Sequence, residues 1–516
     1  MKKYIVFIVL FFFVSQFHSF AQKFDIQEGV IQKTKSEPLK IIGLYQGDLI
    51  SISKLNEDLY LVKYDKETLK PKQYVDLPLS YKSKKVEFID IVKINNRYLL
   101  ITRFNNKKKQ ESYYLSQEID METLKVQGTP KLWSNCYFPR YYDHIGFFKL
   151  SKSADKTKTV VVNSLNSTGK VKNQIQVRIY ENDSTPLFQK DVKLPVDLML
   201  FDMLDIAIDN QGNVFFLGKK YFDDYHNIRN GKINFEYLIY KYTYSTESLT
   251  TYRFDNKQKV IIQLRMAINK HQKIICASIS YDEKAEHYTT AETYVLKENS
   301  SIFESKDSRN LNIYKLTGSL ADPNKKVIPS FQSQGIVQTE TEDRLVFLAE
   351  FRKHQEGYGL PPIHMFYYMN SISIEIDSMG GIINNFEAKK LQSMKGKTQR
   401  SPTLDDYRDP IWAGSYSYIF IPVNGKYFIA YNESSKNVTK EKWNSFYIGD
   451  EKKTIPFLVY LVDDHKNEYY RIIDDKKTQL KLYTNAYYIS GDDLYLIVMK
   501  NGGQLVLKIT FRGQLD

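Results

Sequence analysis

Ile208-Asp209-Asn210-Gln211-Gly212-Asn213-Val214-Phe215 reads as the end of one strand, a tight polar turn and the start of a second, strongly apolar strand. Asn, Asp and Gly tolerate the positive φ values that such hairpins require. The arrangement recurs at Ile94-Asn95-Asn96-Arg97-Tyr98-Leu99-Leu100, at Ile268-Asn269-Lys270-His271-Gln272-Lys273-Ile274-Ile275 and at Val423-Asn424-Gly425-Lys426-Tyr427-Phe428-Ile429. Weaker copies sit at Gly47-Asp48, Asp155-Lys156, Glu342-Asp343 and Gly491-Asp492. A second series is offset from the first. Tyr64-Asp65-Lys66-Glu67-Thr68-Leu69-Lys70 is echoed by Ile119-Asp120-Met121-Glu122-Thr123-Leu124-Lys125 and Tyr244-Ser245-Thr246-Glu247-Ser248-Leu249-Thr250, with looser versions near Asn182, Glu298, Asp377, Asp463 and Gly513. The two series interleave, eight members each, with a period of about 60 residues.

Two hairpin turns per period mean four antiparallel strands per unit. One four-stranded sheet cannot bury both faces by itself, so the units must stack, and radial stacking leaves no long edge exposed. The fold class read from the sequence is therefore all-β, a β-propeller of four-stranded antiparallel blades. Eight blades are expected, with seven as the alternative because the copies at Gly47 and Asp155 are weak. The last unit offers three strands before the chain ends, so its fourth is expected from Phe24-Asp25-Ile26-Gln27-Glu28-Gly29-Val30-Ile31, closing the ring by pairing the N- and C-terminal strands. Composition agrees: 40 Tyr and 30 Phe among 516 residues favour strands, and 42% hydrophobic with 26% charged residues excludes a disordered chain.

At the Asp209 to Phe215 turn the chain resembles the large group of secreted bacterial β-propeller proteins of uncharacterised function. The resemblance is architectural and spans nearly the whole mature chain. It implies a fold and a way of binding, not an activity.

The N-terminus has the three parts of a secretory signal: basic Lys2 and Lys3, the apolar stretch Tyr4 to Val14, and the small-x-small site Ser19-Phe20-Ala21. The expected organisation is a signal peptide at 1–21 and a single propeller domain at 22–516, exported to the periplasm or beyond. An uncleaved anchor is the alternative, and no later segment is apolar enough to span a membrane. Cys136 and Cys276 are too few for a disulfide scaffold and read as separately buried thiols. The formal charge of +13 is scattered, as at Lys82, Lys84 and Lys85 or Lys107, Lys108 and Lys109, which reads as a solvated surface or as contact with anionic glycan or lipid at the envelope. Export argues against nucleic acid.

Within each four-strand unit, named a to d from the inside out, the a–b and c–d turns leave at one end. The b–c loops and the d–a links leave at the other. The first class is uniformly short, and all the long insertions fall in the second. These insertions hold all three tryptophans, Trp133, Trp412 and Trp443, together with Tyr142, His144, Asp224, His226 and Tyr358. The densest segment is Leu404-Asp405-Asp406-Tyr407-Arg408-Asp409-Pro410-Ile411-Trp412, where carboxylates, an arginine and two aromatics suit a sugar or a peptide. Asp405, Tyr407, Arg408 and Trp412 therefore head the candidate ligand-binding residues. Packing of the same side chains onto their own loops is the competing reading.

No Gly-x-Ser-x-Gly elbow, phosphate-binding glycine loop, His-Glu-x-x-His pair, calcium loop or sialidase box is present. Glycosidase chemistry would need two carboxyls facing each other from different blades, which sequence does not establish. No cofactor and no metal are expected. The leading reading is a non-catalytic exported binding module for a protein, peptide or glycan, with enzyme status open. Alternatives are a carbohydrate-active hydrolase or lyase with acids from several blades, and a structural component of an envelope complex.

Overall fold

A computed structural model describes residues 24–512 outside the segments 34–35, 57, 95–96, 107, 110, 138–147, 166–172, 182–185, 225–227, 230–231, 256–258, 283–288, 298–299, 312–329, 340–342, 358–362, 389, 391, 397–417, 435–445, 448–453, 462–466 and 473–479. The chain is an all-β β-propeller of mostly four-stranded antiparallel blades. In chain order the strands fall into groups. Group A is Glu37–Tyr45, Asp48–Leu55, Asp58–Asp65 and Pro71–Leu77; B is Glu87–Ile94, Arg97–Asn106, Glu111–Asp120 and Lys125–Tyr137. Group C is Phe148–Lys152, Lys158–Ser164, Gln174–Glu181 and Pro186–Lys193; D is Phe201–Ile208, Val214–Tyr221, Phe235–Thr243 and Ser248–Asp255. Group E is Lys259–Ile268, Ile274–Asp282, Thr289–Leu296 and Ile302–Leu311; F is Ser330–Gln338, Leu345–Gly357, Ile363–Ile376 and Ile382–Ala388. Group G is Ile419–Val423, Lys426–Ser434, Thr454–Leu461 and Glu468–Arg471; H is Leu480–Ser490, Asp493–Lys500 and Gly503–Phe511.

The fourth strand of group H is Phe24–Glu28, running antiparallel to Gly503–Phe511 with Phe24 opposite Phe511. Two features depart from a simple repeat. The outer strands of D and E pair in parallel (Arg253 to Asp255 with Ile302 to Glu304), fusing the two groups into one sheet. In F the outer strand resumes as Gln392–Gly396, which pairs in parallel with Phe446–Tyr447.

Each group buries its middle strands on both faces, as at Leu494 to Val498, because a neighbour covers either side. Outer strands alternate instead, as in Pro71–Leu77. Apolar cores lie between successive groups: Ile50 and Leu61 against Ile91 and Leu100 between A and B, and Val161 and Tyr180 with Trp133 between B and C. Val160 and Val177 meet Phe216 and Leu238 between C and D, and Leu217 and Ile239 meet Cys276 and Tyr294 between D and E. The series continues between E and F, F and G, and G and H. Ile41, Leu49 and Val62 of A pack on Tyr483, Tyr495 and Val506 of H, so the stack returns to its start.

Both repeated turns have a physical explanation. Asp209 accepts a bond from the Asn213 N–H at 2.8 Å while Gly212 takes φ 93°. Asn269 accepts the equivalent backbone bond in E, and Asp377, of the second series, accepts one from the Gly381 N–H at 2.8 Å in F. In the second series Asp65 accepts from the Thr68 N–H at 2.7 Å and Asp120 from that of Glu122 at 2.9 Å. Leu69 and Leu124 follow at φ 55° and 58°. A leucine tolerates that left-handed backbone because its side chain fills a core, and both are fully buried.

The Thr68 backbone bond and Lys72 hold the Asp65 carboxyl well below the usual carboxylate range. Backbone bonds from Thr123 and Glu122 lower Asp120 likewise. A depressed folded value stabilises above the unfolded value and loses that contribution as pH falls through the folded one, so an acid-sensitive limb is expected below about pH 4. Replacing both residues with Asn should flatten the fall in melting temperature between about pH 4 and pH 2. An unchanged acid limb would show that these carboxyls titrate alike in both states.

Candidate ligand-binding face

The end of the ring carrying the a–b and c–d turns is stitched together. The Asp155 N–H donates to Asn210 at 3.4 Å, and the Asn210 N–H donates to Gln272 at 2.7 Å. Lys270 and His271 meet Asp343, and Asn424 donates to Asp492 at 2.8 Å. Lys63 reaches the Glu122 carbonyl at 2.7 Å, and Lys190 pairs with Glu247 at 2.5 Å. Polar groups at this end are thus engaged in joining one group to the next.

The innermost strands are tied in the same sense. Register shifts follow Pro38, Phe88, Met203, Ile261 and Ser333, and polar side chains beside these bulges reach the next group. Lys40 pairs with Asp90 at 2.8 Å. Asp205 binds Arg265 at 2.9 Å and the Met266 N–H at 3.0 Å, and Arg265 also donates to Ser333. Lys149 reaches the Leu204 carbonyl at 2.9 Å.

At the opposite end, where the b–c loops and d–a links emerge, the residues singled out from the sequence fall mostly outside the described residues: Tyr142, His144, His226, Tyr358, Asp405, Tyr407, Arg408, Trp412 and Trp443. Two are described. Trp133 packs its indole on Phe148 between groups B and C and donates its ring N–H to the Tyr180 hydroxyl at 2.8 Å. Asp224 accepts from the Asn234 side chain at 3.1 Å through its carboxylate and at 2.9 Å through its carbonyl, clasping the base of a b–c loop in D.

Sequence reading missed an ionic group beneath this end in F and G. Glu350 and Lys390 are both fully buried and form an ion pair, and Arg352 adds a second bond to Glu350 at 2.8 Å. The Lys390 ammonium also lies 5.4 Å from the Tyr418 ring centroid, and its backbone N–H donates to Asn370 at 3.2 Å. Burial alone would raise the Glu350 carboxyl, but Lys390 and Arg352 outweigh it and hold it below its usual value. Burial pushes the Lys390 ammonium down, against the pull of Glu350.

Two residues beyond Lys390, Gln392 donates to the Asn432 carbonyl at 2.5 Å. Asn432 exchanges two bonds with Leu482 of group H at 2.8 and 2.9 Å. Lys390 stands where the outer strand of F breaks and resumes, at the root of the link that holds Asp405 to Trp412. With no exposed side-chain surface, this pair can position that root but cannot touch a ligand. A visible signal was available: Glu350 is a lone acid in the apolar run Leu345-Val346-Phe347-Leu348-Ala349.

Among the described residues, no group of three or more His, Cys, Asp or Glu is arranged to hold a metal ion, and no helix is long and apolar enough to cross a membrane. Cys276 is buried between D and E, and burial raises its thiol. Cys136 falls among residues whose side chains are not described.

The fold defines the class, a β-propeller with one stitched end and one elaborated end. No family model matches the chain, and no curated protein does. Among solved structures it is similar to the Dos1 propeller, at 10% identity over 94% of this chain and 96% of that one, with a TM-score of 0.43. An uncharacterised protein from Listeria monocytogenes EGD-e matches at 10% identity over 93% and 96%, TM-score 0.35. A polysaccharide lyase, PL25 ulvan lyase, matches at 8% identity over 87% and 94%, TM-score 0.37. Likeness at this level carries no inference about function.

Proposed function

We propose that this chain is an exported, eight-bladed propeller that captures a protein, peptide or glycan at the cell envelope through its long-loop end, without acting on it chemically. Support for eight blades comes from the unbroken series of cores from A–B round to H–A. Support for export comes from the signal-like residues 1–21. The observation that carries the binding reading is the division of labour between the two ends. Short turns bond to each other from blade to blade, whereas the long, aromatic-rich connections leave from the other end over a buried ionic root.

Tyr407, Arg408 and Trp412 are assigned the ligand contacts, with Asp405, Tyr142, His144, His226, Tyr358 and Trp443 around them. Aromatics and arginine bury large areas with few rotors and keep a polar handle. Affinity capture from native envelope extract should recover a partner with the wild-type chain and lose it with Tyr407→Ala, Arg408→Ala and Trp412→Ala combined. The melting temperature should stay within a few degrees. An unchanged set of captured partners would overturn the assignment, and turnover of a polysaccharide by the purified chain would replace it with the hydrolase or lyase reading.

A further inference from the structure

We propose that the long-loop end between groups A and B carries a subsite for an acidic polysaccharide, built from two lysine turns flanking a row of aromatic rings. The proposal rests on the reading that this end binds ligands, and it names the chemistry of one. The link from A to B is not a plain connection. It forms a minimal hairpin in which Ser80 pairs with Lys85 and Tyr81 with Lys84. Lys82 and Ser83 occupy its tip at φ 48° and 62°. Two residue pairs do not hold a hairpin in water by themselves. This one is anchored by the Val86 N–H, which donates to the Leu79 carbonyl at 3.2 Å, by the buried Val86 side chain, and by the Tyr81 ring.

Tyr81 lies against Phe104 with centroids 6.2 Å apart, and Phe104 stacks on its cross-strand partner Tyr113 at 6.1 Å. All three rings are half-buried, so each keeps accessible surface. Lys82 stands 5.2 Å from the Tyr81 centroid and Lys84 5.4 Å from that of Phe104. The b–c turn of group B, next to Phe104 and Tyr113, adds exposed Lys108 and Lys109. The hairpin and this turn were two scattered basic clusters in the sequence. The fold brings them to one shelf, where Lys82, Lys84, Lys85, Lys108 and Lys109 outnumber the described acids beside them, Glu87, which holds Arg103, and Glu111, which accepts the Tyr113 hydroxyl.

A pyranose ring can lay its C–H face on such rings, while a carboxylate or sulfate ester meets an ammonium. Two other polyanions fit less well. Nucleic acid and phosphate sites favour the bidentate arginine fork, but Arg103, next to Phe104, is held by Glu87 at 2.6 Å. Firm seating on an anionic bilayer takes apolar insertion besides basic charge. Among the described residues, the large exposed apolar side chains lie elsewhere, at Val30, Ile31, Tyr74, Leu132, Leu187, Phe222, Ile302 and Met379.

The test is titration of the full mature chain with polygalacturonate and dextran sulfate, set against neutral dextran, a single-stranded oligonucleotide and phosphatidylglycerol vesicles. Binding of at least one acidic polysaccharide is expected, falling with added salt and weakening at least tenfold in Lys82→Ser, Lys84→Ser and Lys85→Ser combined. Tyr81→Ala should weaken it separately, and the lysine variant should keep the wild-type melting curve. Binding no stronger than to neutral dextran, equal binding of the oligonucleotide or vesicles, or indifference to the lysine variant would each overturn the proposal. The Tyr407, Arg408 and Trp412 variant separates the two readings. If it abolishes polysaccharide binding while the lysine variant does not, the end is right and this subsite is wrong. If the lysine variant alone weakens binding, the subsite stands whatever becomes of the loop assignment.

Discussion

Replacing Lys390 with methionine is expected to destabilise the chain by about 1.5–3 kcal/mol, because the buried Glu350 carboxylate loses one of its two charge-assisted bonds and keeps only that from Arg352. Methionine keeps the length and most of the volume of the lysine stem, so packing loss is small and the charge dominates. Glu350 would remain at 0% exposure facing Arg352 alone. Combining Lys390→Met with Glu350→Gln removes both charges and keeps an acceptor for Arg352, so the double variant should recover at least half of the loss. Urea unfolding of the single and double variants checks both statements. A single-variant loss below about 1 kcal/mol would mean that the pair is not buried as described. Since Lys390 sits at the root of the link bearing Tyr407, Arg408 and Trp412, the single variant should also capture partner less well under conditions where it remains folded.

Starting the chain at Gly29 should be at least as damaging. Without Phe24–Glu28, group H keeps three strands and exposes the edge of Gly503–Phe511. Phe24 is 4% exposed, packs edge-on to Tyr470 at 5.5 Å and touches Phe511. The same strand supplies Asp25 to Arg512 and Glu28 to Lys500. Phe24→Ala alone is expected to cost about 3–5 kcal/mol as a buried aromatic truncation. The truncated chain also loses the strand that ties the two termini, and it should aggregate or unfold at markedly lower urea. A matching midpoint and slope for the truncated and intact chains would show that the ring does not depend on this closure.

The propeller was legible in advance because its signal is local and repeated. A hairpin turn needs Asn, Asp or Gly at fixed offsets, and the same offsets recur wherever the chain makes the same turn. Asp209 and Asp65 could be found in the sequence since each bonds to backbone within four residues of itself. Closure by Phe24–Glu28 was also readable, as the leftover of a three-strand count. Site residues were harder. Trp133 stood out as a loop tryptophan, yet it belongs to a long outer strand and its ring lies between two groups. Glu350 and Lys390 are 40 residues apart and share no motif, so nothing in the sequence pairs them.

The sequence by itself determined the strand-turn rhythm, the four-strand unit and which connections are long, since each follows from backbone preferences and the two-residue period of a strand. Only the tertiary structure decided which charges lie buried together and which lysines share a shelf. Such contacts join residues from different strands, and their energies depend on burial and distance, which no local pattern encodes.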